Sequence, residues 1–257
     1  MIGAIAGDIV GSVFERRPIK TTQFNLINFG CRFTDDTVLI IAVTDAILKK
    51  ISYEDSIRNW GLKNPNAGYG GSFDKWLYSS YPKPYNSWGN GSAMRVIPVG
   101  YAFHNLEDVL LEAERTSVIT HDHPEGIKGA QAVAAAIFLA RTGSSKNEIK
   151  RYITTTFGYD LDRSIEEIRP DYKFEISCQK SVPEAIIAFL DSTNYESAIK
   201  LAVSLGGDSD TQACIAGGIA EAFYKELPGS LINYTEELLP AEMLEVIKAF
   251  EIHINKE

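Results

Sequence analysis

Ile2-Gly3-Ala4-Ile5-Ala6-Gly7-Asp8-Ile9-Val10-Gly11-Ser12-Val13-Phe14 is the stretch whose reading decides the fold. Ile2, Ile5, Ala6, Ile9, Val10, Val13 and Phe14 recur at three- and four-residue spacing, the stripe of an amphipathic helix, whereas a strand would alternate. Gly3, Gly7 and Gly11 stand every fourth residue, so they share one helical face and let a second helix approach closely. This is not the GxGxxG of a dinucleotide fold, and a Rossmann sheet is not expected. The same periodicity continues down the chain. Thr34 precedes the run Val38 to Leu48, and Ser52 with Asp55 has the form of a capping box. Ala93 to Phe103 reads as a helical run. Pro124 fits the first turn of a helix running to about Arg141, and Ser145 with Glu148 starts another. Thr193 with Glu196 is expected to cap the run Ala198 to Leu205, and Thr211 to Lys225 and Ala241 to Glu251 keep helical spacing. Only Tyr172 to Ser177 hints at a strand. Eight or more helices against one doubtful strand predict an all-α, multi-helix bundle.

Composition sets the outer bounds. Nothing in the 257 residues shifts sharply enough to mark a boundary, so one domain, 1–257, is expected. Hydrophobic residues make up 45% and aromatics 11%, ample for a core and incompatible with general disorder. The net charge of -9 repels nucleic-acid backbones and anionic lipid, so non-specific binding to either is not expected. Cys31, Cys178 and Cys214 are scattered and lack CxxC spacing, which suggests neither a disulfide framework nor zinc and fits a reducing compartment. Asp8 interrupts the first apolar stretch before it could serve as a signal peptide, and no segment reaches the roughly 18 consecutive apolar residues of a membrane span. A cytoplasmic protein is the expectation.

Two acidic clusters carry the chemistry. Thr34-Asp35-Asp36-Thr37 and Gly206-Gly207-Asp208-Ser209-Asp210-Thr211 each place two carboxylates and hydroxyls at a predicted helix start. Either alone reads as an ordinary N-cap favoured by the helix dipole. Together they supply four carboxylates that folding can bring to one place, where they would resist ionisation unless cations neutralised them. With only oxygen ligands and no neighbouring Cys or His, the expected ions are hard, two Mg²⁺ or Mn²⁺ ahead of Ca²⁺.

The segment from Asn64 to Ser92 breaks the helical rhythm. It is rich in Gly, Pro, Ser and Asn, yet Tyr69, Phe73, Trp76, Tyr78, Tyr81, Tyr85 and Trp88 give it an aromatic density foreign to a solvated linker. Ordered loops that serve a site, with a short helix near Phe73 to Tyr78, are the reading. Gly68-Tyr69-Gly70-Gly71 and Ser87-Trp88-Gly89-Asn90-Gly91-Ser92 are either turns or cradles whose backbone N–H groups hold phosphate. In Thr120-His121-Asp122-His123-Pro124, hydrogen bonding or stacking by His121 is favoured over zinc.

Taken in order, these pieces resemble the ADP-ribosylglycohydrolases, relatives of dinitrogenase reductase-activating glycohydrolase, from Ile2 to about Lys225. The matching motifs are Gly7-Asp8 with Glu15, Phe33-Thr34-Asp35-Asp36-Thr37, Gly68-Tyr69-Gly70, Gly89-Asn90-Gly91-Ser92-Ala93-Met94-Arg95-Val96, Thr120-His121 and Gly206 to Thr211. Unrelated chains rarely reproduce both acidic clusters with the glycine loops between them. The resemblance implies an all-α fold and a binuclear Mg²⁺ or Mn²⁺ centre held by Thr34, Asp35, Asp36, Asp208, Asp210 and Thr211. It implies a substrate site formed by Gly68, Tyr69, Gly70, Trp88, Gly89, Asn90, Gly91, Ser92 and His121, with the two loops on the pyrophosphate and Trp88 and His121 about the adenosine or distal sugar. The implied reaction is hydrolysis of the glycosidic bond between ADP-ribose and an acceptor on a protein or small molecule, with catalytic roles for Glu15, Asp36 and Asp210. A two-metal phosphoesterase and a non-catalytic member of the fold are the rival expectations.

Overall fold

The computed structural model describes residues 1–255; the last two residues of the expected 1–257 unit lie outside that range. The architecture is helical throughout the described residues, and no extended ladder forms.

The glycine-bearing stretch becomes α1 (Ile2–Gly11), with all ten residues buried. A helix apolar on every side belongs in the centre of a bundle. Its neighbour is the equally buried α13 (Ser209–Tyr224), in which every residue from Ser209 to Ala220 is shielded from solvent. The glycines explain the closeness of this pair. A Cβ on Gly7 would lie 2.2 Å from the Ala213 carbonyl oxygen, one on Gly11 2.3 Å from that of Ser209, and one on Gly217 2.5 Å from that of Gly3. The two backbones touch where side chains would otherwise stand.

Around this pair the chain winds in short helices. Capping sets many of their starts, each cap being worth about 1 kcal/mol. Thr34 accepts from Asp36 N at the head of α2 (Asp35–Lys49), and Ser52 accepts from Asp55 N at the head of α3 (Tyr53–Lys63). The aromatic loop region contains α4 (Gly71–Leu77). The run from Ala93 to Phe103 is split into α5 (Gly91–Arg95) and α6 (Ile97–Ala102), because Pro98 has no N–H with which to continue the α-helical ladder. There follow α7 (Leu106–Ser117), capped by Asn105, and α8 (Pro124–Arg141), entered through Pro124. α9 (Lys146–Phe157) begins with the reciprocal Ser145–Glu148 box, and α10 (Ile165–Ile168) is a single turn. α11 (Cys178–Asp191) contains Pro183, which disguises it in the sequence. α12 (Tyr195–Val203), α14 (Gly229–Leu238) and α15 (Ala241–Asn255) complete the order.

Three local expectations are corrected. α1 stops at Gly11, and Val13 and Phe14 turn away, Phe14 packing on Phe24 with ring centroids 4.8 Å apart. The cap of α12 is Asn194, bonded reciprocally with Ser197, rather than Thr193 with Glu196. Tyr172 to Ser177 forms no strand; it makes one isolated bridge, in which Asn90 N donates to Ile176 O at 2.7 Å and Cys178 N to Trp88 O at 2.9 Å.

α13 contacts α1, α12, α11, α8 and α5, so the core is gathered around it. Its N-terminus and that of α2 open towards the same cavity, which fixes where the site lies. Among the described residues no helix is long and apolar enough to cross a membrane.

Candidate active site

Asp8 organises one wall. It projects from the otherwise apolar α1, is fully buried, and accepts four hydrogen bonds. Thr34 N donates to Oδ2 at 3.0 Å and Thr34 Oγ1 to Oδ1 at 2.6 Å, Thr37 N donates to Oδ2 at 3.1 Å, and Thr37 Oγ1 also donates to Oδ2. A carboxylate in an apolar helix is costly unless so satisfied. The four bonds lock the first turn of α2 against α1, and they draw the Thr34 and Thr37 hydroxyl hydrogens inward.

Asp35 and Asp36 leave that turn, and Asp208 and Asp210 leave the first turn of α13. The two turns meet: Thr211 Oγ1 donates to Asp36 Oδ1 at 3.3 Å, across 175 residues of sequence. Carboxylate oxygens of Glu15, Asp208 and Asp210 lie within 4.8 Å of one another. Asn90 Nδ2 donates to Asp208 Oδ2 at 2.7 Å and to Ser181 Oγ at 3.0 Å, so the glycine loop is tied to the acidic turn. Glu15, Asp35, Asp36, Asn90, Asp208, Asp210 and Thr211 all line one cavity of about 450 Å³.

The electrostatics are those of a crowded acidic nest that Arg16 and Arg32 in the cavity lining offset only in part. Burial, then the Asp210 charge, raises Asp8 to about 7, against the hydrogen bonds from Thr34 and Thr37 that favour its ionised form. Burial, then Asp210 and Asp8, raises Asp35 to about 8. Asp36 and Asp208 are held well above the usual carboxylate range, first by burial and then by neighbouring carboxylates. Burial raises Asp210, and burial followed by Asp210 raises Glu15. Asp36 Oδ2 is buried with no hydrogen-bond partner. Crowded carboxylates, an orphaned anionic oxygen and hydroxyl oxygens form the donor set of a hard divalent cation. The residues fit such a cation.

The other half of the cavity is built from glycine loops and aromatic or neutral polar groups. Gly68 adopts φ +111, a backbone only glycine takes easily, and passes over Asp35: a Cβ there would lie 3.5 Å from Asp35 Oδ1. Gly89 and Gly91 face His121, whose Nε2 would be 3.6 Å and 3.2 Å from a Cβ on each. His121 Nδ1 pairs with Thr120 Oγ1 at 2.7 Å, and the buried Arg95 donates to that same oxygen at 2.7 Å. Burial, then the Arg95 charge, pushes His121 well below its ordinary range, so its ring is neutral.

A family model described as ADP-ribosylglycohydrolase matches residues 1–256. The chain belongs to the ADP-ribosylglycohydrolase family. Among the curated relatives of this ADP-ribosylglycohydrolase, ADP-ribosylhydrolase ARH3 of Xenopus tropicalis is 26% identical, covering 88% of this chain and 86% of its own length. ADP-ribosylhydrolase ARH3 of Homo sapiens is 27% identical over 87% of this chain and 84% of its own. ADP-ribosylarginine hydrolase Tri1 of Pseudomonas putida (strain GB-1) is 26% identical over 87% of this chain and 69% of its own. A solved ADP-ribosylglycohydrolase-related protein complex shares the fold with a TM-score of 0.73 at 21% identity, covering 98% of this chain and 97% of that one.

In this ADP-ribosylglycohydrolase the structure gathers thirteen of the residues singled out from sequence around the cavity: Glu15, Thr34, Asp35, Asp36, Asp208, Asp210 and Thr211 at the acidic half, and Gly68, Gly70, Gly89, Asn90, Gly91 and His121 at the other. Three stand outside its lining. Tyr69 stacks on Phe73 with centroids 5.1 Å apart, Trp88 is half exposed with its ring edge-on to His123 at 5.6 Å, and Ser92 is buried with Oγ donating to Gly126 O at 2.7 Å. Sequence reasoning assigned no site role to Asp8, Tyr85, Arg32, Phe174 or Ile176. Asp8 had a usable signal, a lone carboxylate inside an apolar helix. Phe174 and Ile176 had none, since they line the cavity while remaining 57% and 55% exposed.

Proposed function

We propose that this ADP-ribosylglycohydrolase hydrolyses the glycosidic bond joining ADP-ribose to an acceptor on a protein side chain or small molecule, releasing ADP-ribose. The observation that carries this reading is the meeting of the α2 and α13 N-termini, which sets Asp36, Asp210 and Thr211 in one cavity facing a glycine-lined half. Thr34, Asp35, Asp36, Asp208, Asp210 and Thr211 are assigned to two Mg²⁺ or Mn²⁺ ions, which when bound would neutralise these carboxylates and hold the hydroxyls of the distal ribose.

The protein's own groups do the rest. Asp8 takes the Thr34 hydroxyl hydrogen and Asp36 N one of its lone pairs, which leaves the other lone pair of Oγ1 for a cation. Asn90 steadies Asp208, and Thr211 steadies Asp36. Gly68, Gly70, Gly89 and Gly91 let the pyrophosphate approach the backbone, and neutral His121 offers a hydrogen bond without adding charge. Positive charge that develops at the anomeric carbon as the acceptor leaves is stabilised by the acidic half. Glu15, raised above its ordinary range by burial and Asp210, is assigned to accept the proton of the attacking water.

The test is incubation with ADP-ribosylated arginine, serine and nucleotide conjugates, with and without EDTA, followed by mass spectrometry. Free ADP-ribose formed only without chelator is expected. AMP with ribose phosphate would instead place the cut at the pyrophosphate, and no cation-dependent product from any conjugate would overturn the enzymatic reading.

A further inference from the structure

A second cavity, of about 270 Å³, borders the first and shares Ser72 and Tyr85 with it. Its remaining lining is Lys75, Trp76, Ser79 and Lys83, from α4 and the segment that follows. The set is chemically one-sided: two ammonium groups, two serine hydroxyls, a tyrosine and an indole, with no carboxylate. Lys75 and Lys83 are exposed, and neither has an ion pair or hydrogen bond among the described residues. Trp76 is 4% exposed, and its Nε1 is buried without an acceptor. Arg58 donates to the carbonyls of Leu77 and Ser79 and holds the end of α4 in place. In a chain of net charge -9, unpaired cations beside an acid-lined cavity mark a local reversal of field.

We infer that this second cavity is an anion subsite continuous with the active-site cavity, which takes a phosphate carried on the adenosine side of the substrate, beyond its pyrophosphate. The inference rests on the function proposed above. There the distal ribose occupies the acidic half, so the nucleoside end lies in the carboxylate-free half, where Ser72 and Tyr85 open onto the lysines. The aromatic and lysine-bearing segment from Ser72 to Tyr85 thereby gains a role: it forms the wall between the two cavities.

The probe pair is ADP-ribose and ADP-ribose 2′-phosphate, titrated calorimetrically into the full chain with Mg²⁺. The phosphorylated ligand is expected to bind about tenfold tighter, the effect of two partly exposed charge contacts, with the gain shrinking as salt rises. In Lys75→Gln/Lys83→Gln the difference is expected to fall within about twofold while ADP-ribose affinity stays unchanged. Equal binding of the two ligands by the unaltered protein overturns the inference and leaves the proposed function standing. A second arm is independent of that function. Inorganic phosphate alone, at millimolar concentration, should move the indole N–H resonance of Trp76, assigned through Trp76→Phe, and the double lysine variant should abolish the movement. Were ADP-ribose not to bind at all, the proposed function would fail, and this arm would decide the subsite by itself: an unmoved Trp76 signal overturns it.

Discussion

Gly11→Ala tests how the core sets the site. The added Cβ would lie 2.3 Å from Ser209 O and 2.5 Å from Asp210 Cα, while ordinary contact begins at 3.4 Å, so α1 and α13 must part by about 1 Å. Both obstacles are backbone and cannot swing aside. Overpacking of this kind costs about 3 kcal/mol, the upper end of its usual range, and the alanine's better helix propensity returns at most about 1 kcal/mol. The net loss of about 2 kcal/mol corresponds to a Tm lower by roughly 4–8 °C for a chain of this size. The same displacement moves the turn bearing Asp208 and Asp210 by several times the ~0.2 Å tolerance of a coordination shell, so Mg²⁺ affinity should fall about 10- to 100-fold. Melting in EDTA measures the first effect and calorimetric titration of Mg²⁺ the second. Gly229→Ala, where a Cβ meets nothing within 4 Å, is the neutral control. A Gly11→Ala protein that melts within 1 °C of the parent and binds Mg²⁺ equally well refutes the claim that the α1–α13 contact fixes the acidic site.

Asp36→Ala and Asp210→Ala should each abolish release of ADP-ribose while circular dichroism shows a folded protein, and near-normal rates in either would remove these residues from the chemistry. Asp8→Asn surrenders acceptor capacity for the Thr34 and Thr37 donors and should cost about 1–3 kcal/mol in urea unfolding together with weaker cation binding. Without divalent cations, Asp8 and Asp35, raised to about 7 and about 8, bind protons in the folded chain that the unfolded chain has released above about 4. Their contribution is therefore lost as pH climbs through those values, and Tm in EDTA should fall from pH 6.5 to pH 8.5. In the lower part of that window His121, neutral when folded but protonated below about 6.5 in the unfolded chain, opposes the fall, so the decisive range is pH 7.5 to 8.5, and an EDTA melting profile that rises across it contradicts the assignment. Saturating Mg²⁺ should raise Tm more at pH 8 than at pH 6, because cations replace the protons; an equal rise at both would show that they bind elsewhere.

Helical periodicity and capping chemistry made much of the fold legible. The Gly3, Gly7 and Gly11 spacing announced a close helix contact but not its partner, because the contact is made largely to the backbone of α13, at Ser209, Asp210 and Ala213, which no side-chain pattern marks. Pro98 and Pro183 misled in opposite ways: one broke a run that read as continuous, the other sits inside a helix that periodicity did not single out. The two acidic clusters were visible because carboxylates beside hydroxyls at two helix starts are unusual in pairs. Asp8 was visible as a residue but not as a hub, since its four donors come from the cap and first turn of α2, more than two dozen residues away. Trp88 illustrates the remaining gap. A ring next to a glycine loop can point into the cavity or away from it, and sequence does not choose between them; here it leans on His123.

The convergence of two helix starts on one cavity also has a consequence for charge. Each helix N-terminus behaves as roughly half a positive elementary charge, so the backbones of α2 and α13 together offset about one of the four aspartates at their ends. With Glu15 added and Arg16 and Arg32 set against it, the acidic end still favours protons or cations, and it faces a far half of glycines, a neutral imidazole and the buried Arg95. A guest uniformly anionic along its length is repelled at one end, and a uniformly cationic one finds no partner at the other. The chamber is polarised, and it selects molecules whose charge is distributed lengthwise in the opposite sense.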